Sequence, residues 1–194
     1  MRQVVVIHGG DSFETYEEYL KYLKGVEISL DWGKGWKAGL SEALGEKYQV
    51  IAPRMPNSLN ARYIEWKMWF EKYLALLDED LILVGHSLGG VFLAKYLSQE
   101  TCPKGVLGTF LVAAPFDAPE GSWDFILSGP LNSLAEQGGK LFLYQSKDDT
   151  LVPFAEVQKY QMALPGAVVR TFNDRGHFLG EEFPEIVADI RSVD

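Results

Sequence analysis

One stretch, residues 81–96, constrains the fold more than any other part of the chain. It begins with an apolar run at 81–84, passes through Gly85-His86-Ser87-Leu88-Gly89 and continues as a helical pattern. A short continuous apolar run is typical of a parallel strand that is covered on both faces. The pattern therefore predicts a strand, a sharp turn at Ser87 and a helix.

Ser87 is the residue that this turn would display. Gly85 and Gly89 match the pattern Gly-x-Ser-x-Gly, in which small residues let a strand and a helix pass close together in a strained backbone. A helix that starts at Leu88 would also place free N–H groups and its positive dipole end beside the hydroxyl, where they would stabilise negative charge. The alternative is a helix that begins after a glycine-rich turn with an idle serine. Partner residues elsewhere in the chain must distinguish a catalytic serine from an idle one.

Length and charge limit the classes of protein. With 194 residues and no Ser/Pro-rich linker, the chain is expected to form a single domain over 1–194. The formal net charge is -9, with 27 Asp and Glu against 18 Lys and Arg and no basic run. This balance argues against nucleic acid or an anionic membrane as a partner. A small-molecule substrate is expected instead.

The single cysteine and the three histidines exclude further classes of protein. Cys102 is the single cysteine and cannot form an internal disulfide, and the N-terminus enters a strand without a signal-peptide core, so a cytoplasmic location is expected. No apolar run approaches the roughly 18 residues of a membrane span. The three histidines, at positions 8, 86 and 177, lack metal-ligand spacing, and Gly9-Gly10 lacks the rest of a dinucleotide fingerprint. No metal and no cofactor are therefore expected.

Strand and helix patterns alternate along the whole chain. Strands are predicted over 4–7, 50–52, 81–84, 106–114, 141–144 and 168–172, and helices over 14–24, 36–47, 61–77, 154–164, 183–190, after Ser87 and near 131–136. This alternation implies right-handed crossovers and an α/β fold, in which a mostly parallel sheet of about six strands has helices on both faces. The strand at 4–7 is too apolar for a sheet edge.

The longest helical pattern, 61–77, is rich in apolar and aromatic residues. We interpret this stripe as core packing rather than as a ligand site. Its members are Ile64, Trp66, Met68, Trp69, Tyr73, Leu74 and Leu77.

Polar residues follow several strand ends. In a parallel sheet a ligand site lies outside the carboxyl ends of the strands. The residues that occupy such positions are His8, Ser87, Asp117, Asp149 and His177.

This arrangement resembles the α/β-hydrolase superfamily over nearly the whole chain. That family has a fixed order of nucleophile, acid and histidine, and Ser87, Asp149 and His177 occur in that order. Asp149 begins a segment, Asp149-Thr150-Leu151-Val152-Pro153, that looks like the family's acid loop, and His177 follows Gly176 after the last strand. The length and the small cap are most similar to the compact serine hydrolases of the retinoblastoma-binding and YdeN type. The Leu-x-Cys-x-Glu segment associated with retinoblastoma binding is absent around Cys102. The resemblance therefore implies the hydrolase chemistry but not binding to the retinoblastoma protein.

The resemblance implies a three-layer sandwich with a minimal cap at 116–139. It also implies that Ser87 is the nucleophile, that His177 is its general base and that Asp149 orients the imidazole. The oxyanion donors would be the backbone N–H groups of Leu88 and Gly10, with Asp11 as the neighbouring alternative to Gly10.

Each assignment has an alternative. Asp117 is the main rival acid, because some relatives carry the acid one strand earlier, and Asp148 is the weaker rival because it could be a solvated turn residue. His8 is expected to order the loop after the first strand. His86 is expected to point its ring away from the reaction partner of the nucleophile.

Substrate size and reaction type remain more open. We hypothesise that Trp123 and Phe125 form part of an apolar wall for a short acyl chain, with ordinary core packing as the alternative. The leading function is hydrolysis of a small carboxyl ester, thioester or amide. The alternatives are a catalytically idle binding protein and an acyltransferase or lyase that uses the same site. Oligomeric state and the identity of the acyl and leaving groups stay open.

Overall fold

The computed structural model describes residues 1–28, 35–117 and 122–193. The strands are β1 Arg2–Ile7, β2 Tyr48–Ile51, β3 Leu81–His86, β4 Val106–Val112, β5 Lys140–Ser146 and β6 Val168–Phe172. The helices are α1 Tyr16–Gly25, α2 Trp36–Leu44, α3 Tyr63–Leu74, α4 Leu88–Gln99, α5 Asn132–Gln137, α6 Ala155–Ala163 and α7 Pro184–Arg191, with a short 3-10 turn at Trp123–Phe125. The six strands form one parallel sheet in the order β2-β1-β3-β4-β5-β6.

Alternating residues of the central strands divide the core between the two faces of the sheet. Val5 and Leu83 belong to the apolar cluster that contains side chains of α3, α4 and α6. Val4 and Val84 belong to a second cluster with side chains of α2 and α7. Because a strand points successive side chains to opposite faces, a strand covered on both sides is apolar throughout. The predicted α/β fold, a three-layer sandwich with six parallel strands, is therefore confirmed, and β1 lies inside the sheet as expected.

The buried face of α3 differs from the prediction. Trp66, Phe70 and Leu74 are fully buried, whereas Ile64 and Met68 are 57% and 58% exposed. Both sets recur at intervals of four residues, so apolar spacing alone could not tell which set faces the sheet. Trp69 is also exposed. The interpretation of the entire stripe as core was wrong for these three residues.

The cap-like segment begins where β4 ends. Residues 118–121 lie outside the described part of the chain. The 3-10 turn that follows is held near the end of β1, because Ser122 forms an isolated bridge with Ser12 and the Asp124 N–H donates to the Ser12 hydroxyl at 3.3 Å. Among residues 1–28, 35–117 and 122–193, no helix has both the length and the apolar character needed to cross a membrane.

Candidate active site

Ser87 occupies a strained turn between β3 and α4. Its φ is 55° and its ψ is -124°, a region that non-glycine residues rarely adopt and that costs about 1–3 kcal/mol. Its N–H donates to the Val112 carbonyl at 2.8 Å, which ties the turn to the neighbouring strand β4. Between residues 81 and 94, Ser87 is the one residue that is not buried. The turn therefore displays a single hydroxyl at the carboxyl end of the sheet.

Close backbone approaches explain the glycines around Ser87. A Cβ atom built on Gly85 would lie 2.4 Å from the Gly89 carbonyl oxygen. A Cβ atom on Gly89 would lie 2.3 Å from the Ile7 carbonyl oxygen, which belongs to β1. Neither position has room for a side chain, so the motif is a steric requirement of this strand-turn-helix junction.

His177 lies in the loop after β6 and contacts Asp149, which follows β5. The residues on either side of the histidine, Gly176 and Phe178, have φ values of 49° and 53°. This tight turn presents the imidazole toward the acid loop. Its Nδ1 atom lies 2.9 Å from Asp149 Oδ2.

The Asp149 carboxylate is buried and fully engaged. Its Oδ1 atom accepts the Leu151 and Val152 N–H groups at 2.9 and 3.0 Å, and Gln145 Nε2 donates to Oδ2 at 3.1 Å. Burial raises the pKa of this carboxyl, but the hydrogen bonds from His177, Val152 and Leu151 outweigh burial and hold the pKa below its ordinary value. An ionised Asp149 accepts the Nδ1–H of His177, which leaves Nε2 of that ring as a proton acceptor.

The two alternative acids have other partners. Asp117 forms an ion pair with Lys159 at the surface, and its N–H donates to Glu156 at 3.0 Å. Asp148 accepts the Ser146 hydroxyl at 2.5 Å and the Gly176 N–H at 3.0 Å. Asp148 is therefore more than a solvated turn residue, because it anchors the loop that carries His177. Of the three carboxylates, Asp149 is the one that the structure brings to the histidine.

The loop after β1 passes beside the Ser87 hydroxyl. A Cβ atom built on Gly9 would lie 3.6 Å from Ser87 Oγ. His8 orders this loop as predicted, since its Nδ1 atom lies 2.6 Å from the Gly9 carbonyl oxygen and its Nε2 accepts the Met55 N–H at 2.9 Å. The Asp11 N–H already donates to the Ser58 carbonyl at 2.8 Å.

This leaves the Gly10 N–H as the better candidate of the two predicted loop donors. Leu88 is the first residue of α4, and the first N–H groups of a helix have no partner within the helix. Leu88 thus follows Ser87 at the start of α4, and Gly10 lies in the loop whose Gly9 passes beside Ser87 Oγ.

The prediction that the His86 ring points away from the reaction partner of Ser87 was wrong. The rings of His86 and His177 lie 4.9 Å apart, and His86 Nε2 is 2.8 Å from the His177 carbonyl oxygen. On its other side, His86 Nδ1 lies 3.1 Å from Lys37 Nζ. Sequence reasoning missed Lys37 entirely, because its partner is 49 positions away and nothing in the α2 pattern distinguishes it from a surface lysine.

The two proposed pocket residues have different environments in the structure. Phe125 is fully buried and packs against Trp66, with the ring centroids 5.2 Å apart. Its assignment to the substrate wall was wrong, because its neighbours on α3 and α4 make it part of the core. Trp123 is 41% exposed, and the Arg62 guanidinium lies 5.3 Å from its ring centroid. Trp123 therefore stays a candidate pocket residue, while Phe125 does not.

The sequence singled out Asp11 only for its backbone N–H, and the structure shows that its side chain is also close to the site. Its carboxyl group forms a hydrogen bond with Tyr22 of α1 and interacts electrostatically with His177. Burial raises its pKa, although both of these interactions lower it in part. In the ranges that the structure describes, no group of three or more His, Cys, Asp or Glu residues is placed to hold a metal ion.

Comparisons with known proteins identify the family of the chain. The sequence profile described as "Serine hydrolase" matches residues 25–183. The chain is 26% identical over 171 residues to "Serine hydrolase RBBP9" of Rattus norvegicus, covering 87% of this chain and 90% of that protein. It is 25% identical over 191 residues to "Putative hydrolase YdeN" of Bacillus subtilis, covering 93% and 88%. The crystal structure of the ydeN gene product superposes with a TM-score of 0.80 at 22% identity, over 100% of this chain and 98% of that one. The chain belongs to the serine hydrolase family.

Proposed function

We propose that this protein hydrolyses a small carboxyl ester, thioester or amide through an acyl-enzyme formed on Ser87. The observation that carries the proposal is the contact of 2.9 Å between His177 Nδ1 and the buried Asp149 carboxylate. This contact lies at the carboxyl end of the parallel sheet, where Ser87 follows β3. A lone serine is a weak nucleophile at neutral pH, and an oriented imidazole is what activates it.

The reaction proceeds in two halves. His177 Nε2 takes the proton of Ser87 as Oγ attacks the substrate carbonyl carbon, and the carbonyl oxygen becomes an oxyanion beside the N–H groups of Gly10 and Leu88. When the tetrahedral intermediate collapses, His177 gives its proton to the leaving group and an acyl-serine remains. Water then repeats the sequence, with His177 as the base, and releases the acid.

In the described part of the chain, Ser87 Oγ makes no hydrogen bond to another residue. Catalytic hydrogen bonds are often long without substrate and tighten in the Michaelis complex. The Ser87–His177 hydrogen bond is therefore expected to form when a substrate occupies the site. Throughout, Asp149 stabilises the imidazolium without taking its proton.

A fluorophosphonate probe tests this proposal. Only an activated serine reacts with such a probe, so wild-type protein should be labelled and Ser87→Ala should not. Absence of labelling in folded wild-type protein would favour a catalytically idle binding protein. Labelling that persists in Ser87→Ala would place the nucleophile elsewhere.

The small cap predicts a preference for short acyl chains. Burial of each added methylene contributes about 0.8 kcal/mol, or a few-fold in specificity. We expect kcat/KM for p-nitrophenyl esters to rise from acetyl to butyryl and to fall once the pocket is full.

Trp123→Ala is expected to shift this optimum if the ring lines the pocket. Trp69→Ala is the matched control, since Trp69 is similarly exposed, at 39% against 41%, and lies on α3 under Lys72. An unchanged profile in Trp123→Ala would remove this residue from the pocket. A wild-type optimum at ten or more carbons would contradict the small pocket.

The proposed mechanism uses side chains and backbone N–H groups alone. Dialysis against EDTA is therefore expected to leave esterase turnover unchanged. Loss of turnover that a divalent cation restores would require a different mechanism.

A further inference from the structure

A chain of polar contacts runs from α2 through the serine turn to the loop that carries His177. Lys37 Nζ lies 3.1 Å from His86 Nδ1, and His86 Nε2 lies 2.8 Å from the His177 carbonyl oxygen. The three residues come from α2, the end of β3 and the loop after β6. The contact thus joins segments that are distant in the sequence at the place where the proposed base must be held.

The two groups that contact the His86 ring determine which of its nitrogens carries the proton. The His177 carbonyl oxygen can only accept, so His86 Nε2 must carry the hydrogen of that bond. In a neutral imidazole the other nitrogen, Nδ1, then has a lone pair, and Lys37 Nζ is a donor. Lys37 and the His177 carbonyl therefore select the same tautomer of His86.

The surroundings of His86 keep the ring neutral. Burial lowers its pKa well below the ordinary value, and the charges of Lys37 and His177 lower it further. The hydrogen bond to the His177 backbone and the charge of Asp149 oppose this shift. Burial also lowers the pKa of Lys37, to about 8, which leaves this amine mainly protonated at neutral pH.

Packing limits the motion of both side chains. His86 is 3% exposed, and its ring meets the Trp36 ring edge to face with the centroids 6.3 Å apart. The Lys37 ammonium lies 5.2 Å from the Trp36 ring centroid. Trp36 Nε1 donates to the Phe178 carbonyl at 2.9 Å. The loop carrying His177 is thus bound from one side by His86 and, one residue later, by Trp36.

We propose that His86 and Lys37 are positioning residues, which hold the His177 loop through the hydrogen bond from His86 Nε2 to the His177 carbonyl. This inference rests on the proposed function, in which His177 is the base. Because misplacement of a catalytic group by about 1 Å can cost about 100-fold in rate, such a restraint should act on kcat more than on KM.

Substitution at His86 separates a hydrogen-bond role from a packing role. The amide nitrogen of glutamine can reach the position of imidazole Nε2, whereas leucine fills the space without a donor. We expect His86→Leu to lower kcat about 10-fold with KM unchanged, and His86→Gln to stay within about threefold of wild type. Equal losses in both variants, or no loss in His86→Leu, would overturn the positioning role.

Lys37 is tested with a matched lysine. Lys37→Met keeps the aliphatic stem over Trp36 and removes the donor, and Lys72→Met makes the same change over Trp69, where Lys72 Nζ lies 5.7 Å from the ring centroid. Lys37→Met is expected to lower kcat several-fold, with Lys72→Met unchanged. Equal kcat in these two variants would overturn the role of Lys37.

Imidazole ¹⁵N NMR provides a readout that does not depend on activity. In wild-type protein at pH 6 to 7, His86 should show a protonated Nε2 and an unprotonated Nδ1. In Lys37→Met, His86 should gain its second proton at higher pH, because a neighbouring positive charge has been removed. An Nδ1–H tautomer, or a charged His86 at pH 6 in wild type, would overturn the chain of contacts. Should Ser87→Ala keep full activity, the proposed function fails, and the NMR result still decides the contacts by itself.

Discussion

Alanine in place of Ser87, His177 or Asp149 is expected to lower kcat by about 10³-fold or more in each case. In the proposed mechanism Ser87 loses its proton to the His177 imidazole, which lies 2.9 Å from Asp149, so removal of any member disables the same step. The double variants should cost little beyond the single ones, because the three residues act as a unit. Steady-state kinetics with p-nitrophenyl acetate measure all of them.

Asp117→Ala is the matched control for the acid. Asp117 is an aspartate that also follows a strand but pairs with Lys159 at the surface. Its variant should keep turnover within a few-fold of wild type. If Asp149→Ala remained active and Asp117→Ala lost turnover, the acid would have to be reassigned to the earlier strand.

Gly89→Ala is expected to have the largest effect on stability. The added Cβ atom would lie 2.3 and 2.5 Å from the carbonyl oxygens of Ile7 and His8. Both atoms belong to the backbone of β1 and the loop that follows it, so neither can move aside without a large energetic cost. We expect the free energy of unfolding to fall by about 3 kcal/mol, the upper end for an overpacked core, and esterase turnover to fall with it because Ser87 is displaced.

Gly39→Ala serves as its control. Gly39 lies within α2, is exposed and has no atom within 4 Å of a Cβ built on it. Alanine there should stabilise the protein by up to about 1 kcal/mol through its higher helix propensity. Urea unfolding of both variants makes the comparison. A Gly89→Ala protein as stable as wild type would mean that the junction of β1, β3 and α4 is looser than the structure has it.

Local chemistry explains why the serine turn could be predicted from sequence. The steric demand at Gly85 arises from Gly89 and Gly90 in the same segment, so the motif and its flanking apolar run already specify a strand, a turn and a helix, whereas Gly89 is confined by the distant β1. The contact between Asp149 and His177 needs one further step. It follows from the fold, because the two residues lie in the loops that follow the neighbouring strands β5 and β6.

Features set by packing between distant segments could not be predicted in this way. Phe125 has the same sequence context as Trp123, yet one ring is buried against α3 and the other is partly exposed. Apolar spacing likewise could not choose between the Trp66 and Ile64 faces of α3. For His86, the sequence position suggested an idle ring, and the side chain is instead bonded between α2 and the His177 loop.

The polar residues that hold the loops of the site could not be predicted from local sequence either. Asp148 belongs to the acid loop in sequence but bonds the loop that follows β6. Lys37 lies on a helix on one face of the sheet, and only the assembled fold brings its amine to the serine turn. Both residues contact groups that are far away along the chain, so no local pattern could reveal their roles.

The central claim is that Ser87 carries an acyl group during turnover. Rapid-quench mass spectrometry of the protein mixed with p-nitrophenyl butyrate tests it most directly. Wild-type protein should gain the mass of one butyryl group, located on the peptide that contains Ser87, while Ser87→Ala should gain none. A wild-type protein that turns over the ester with no acylated peptide, or with the acyl group on another residue, would contradict the account.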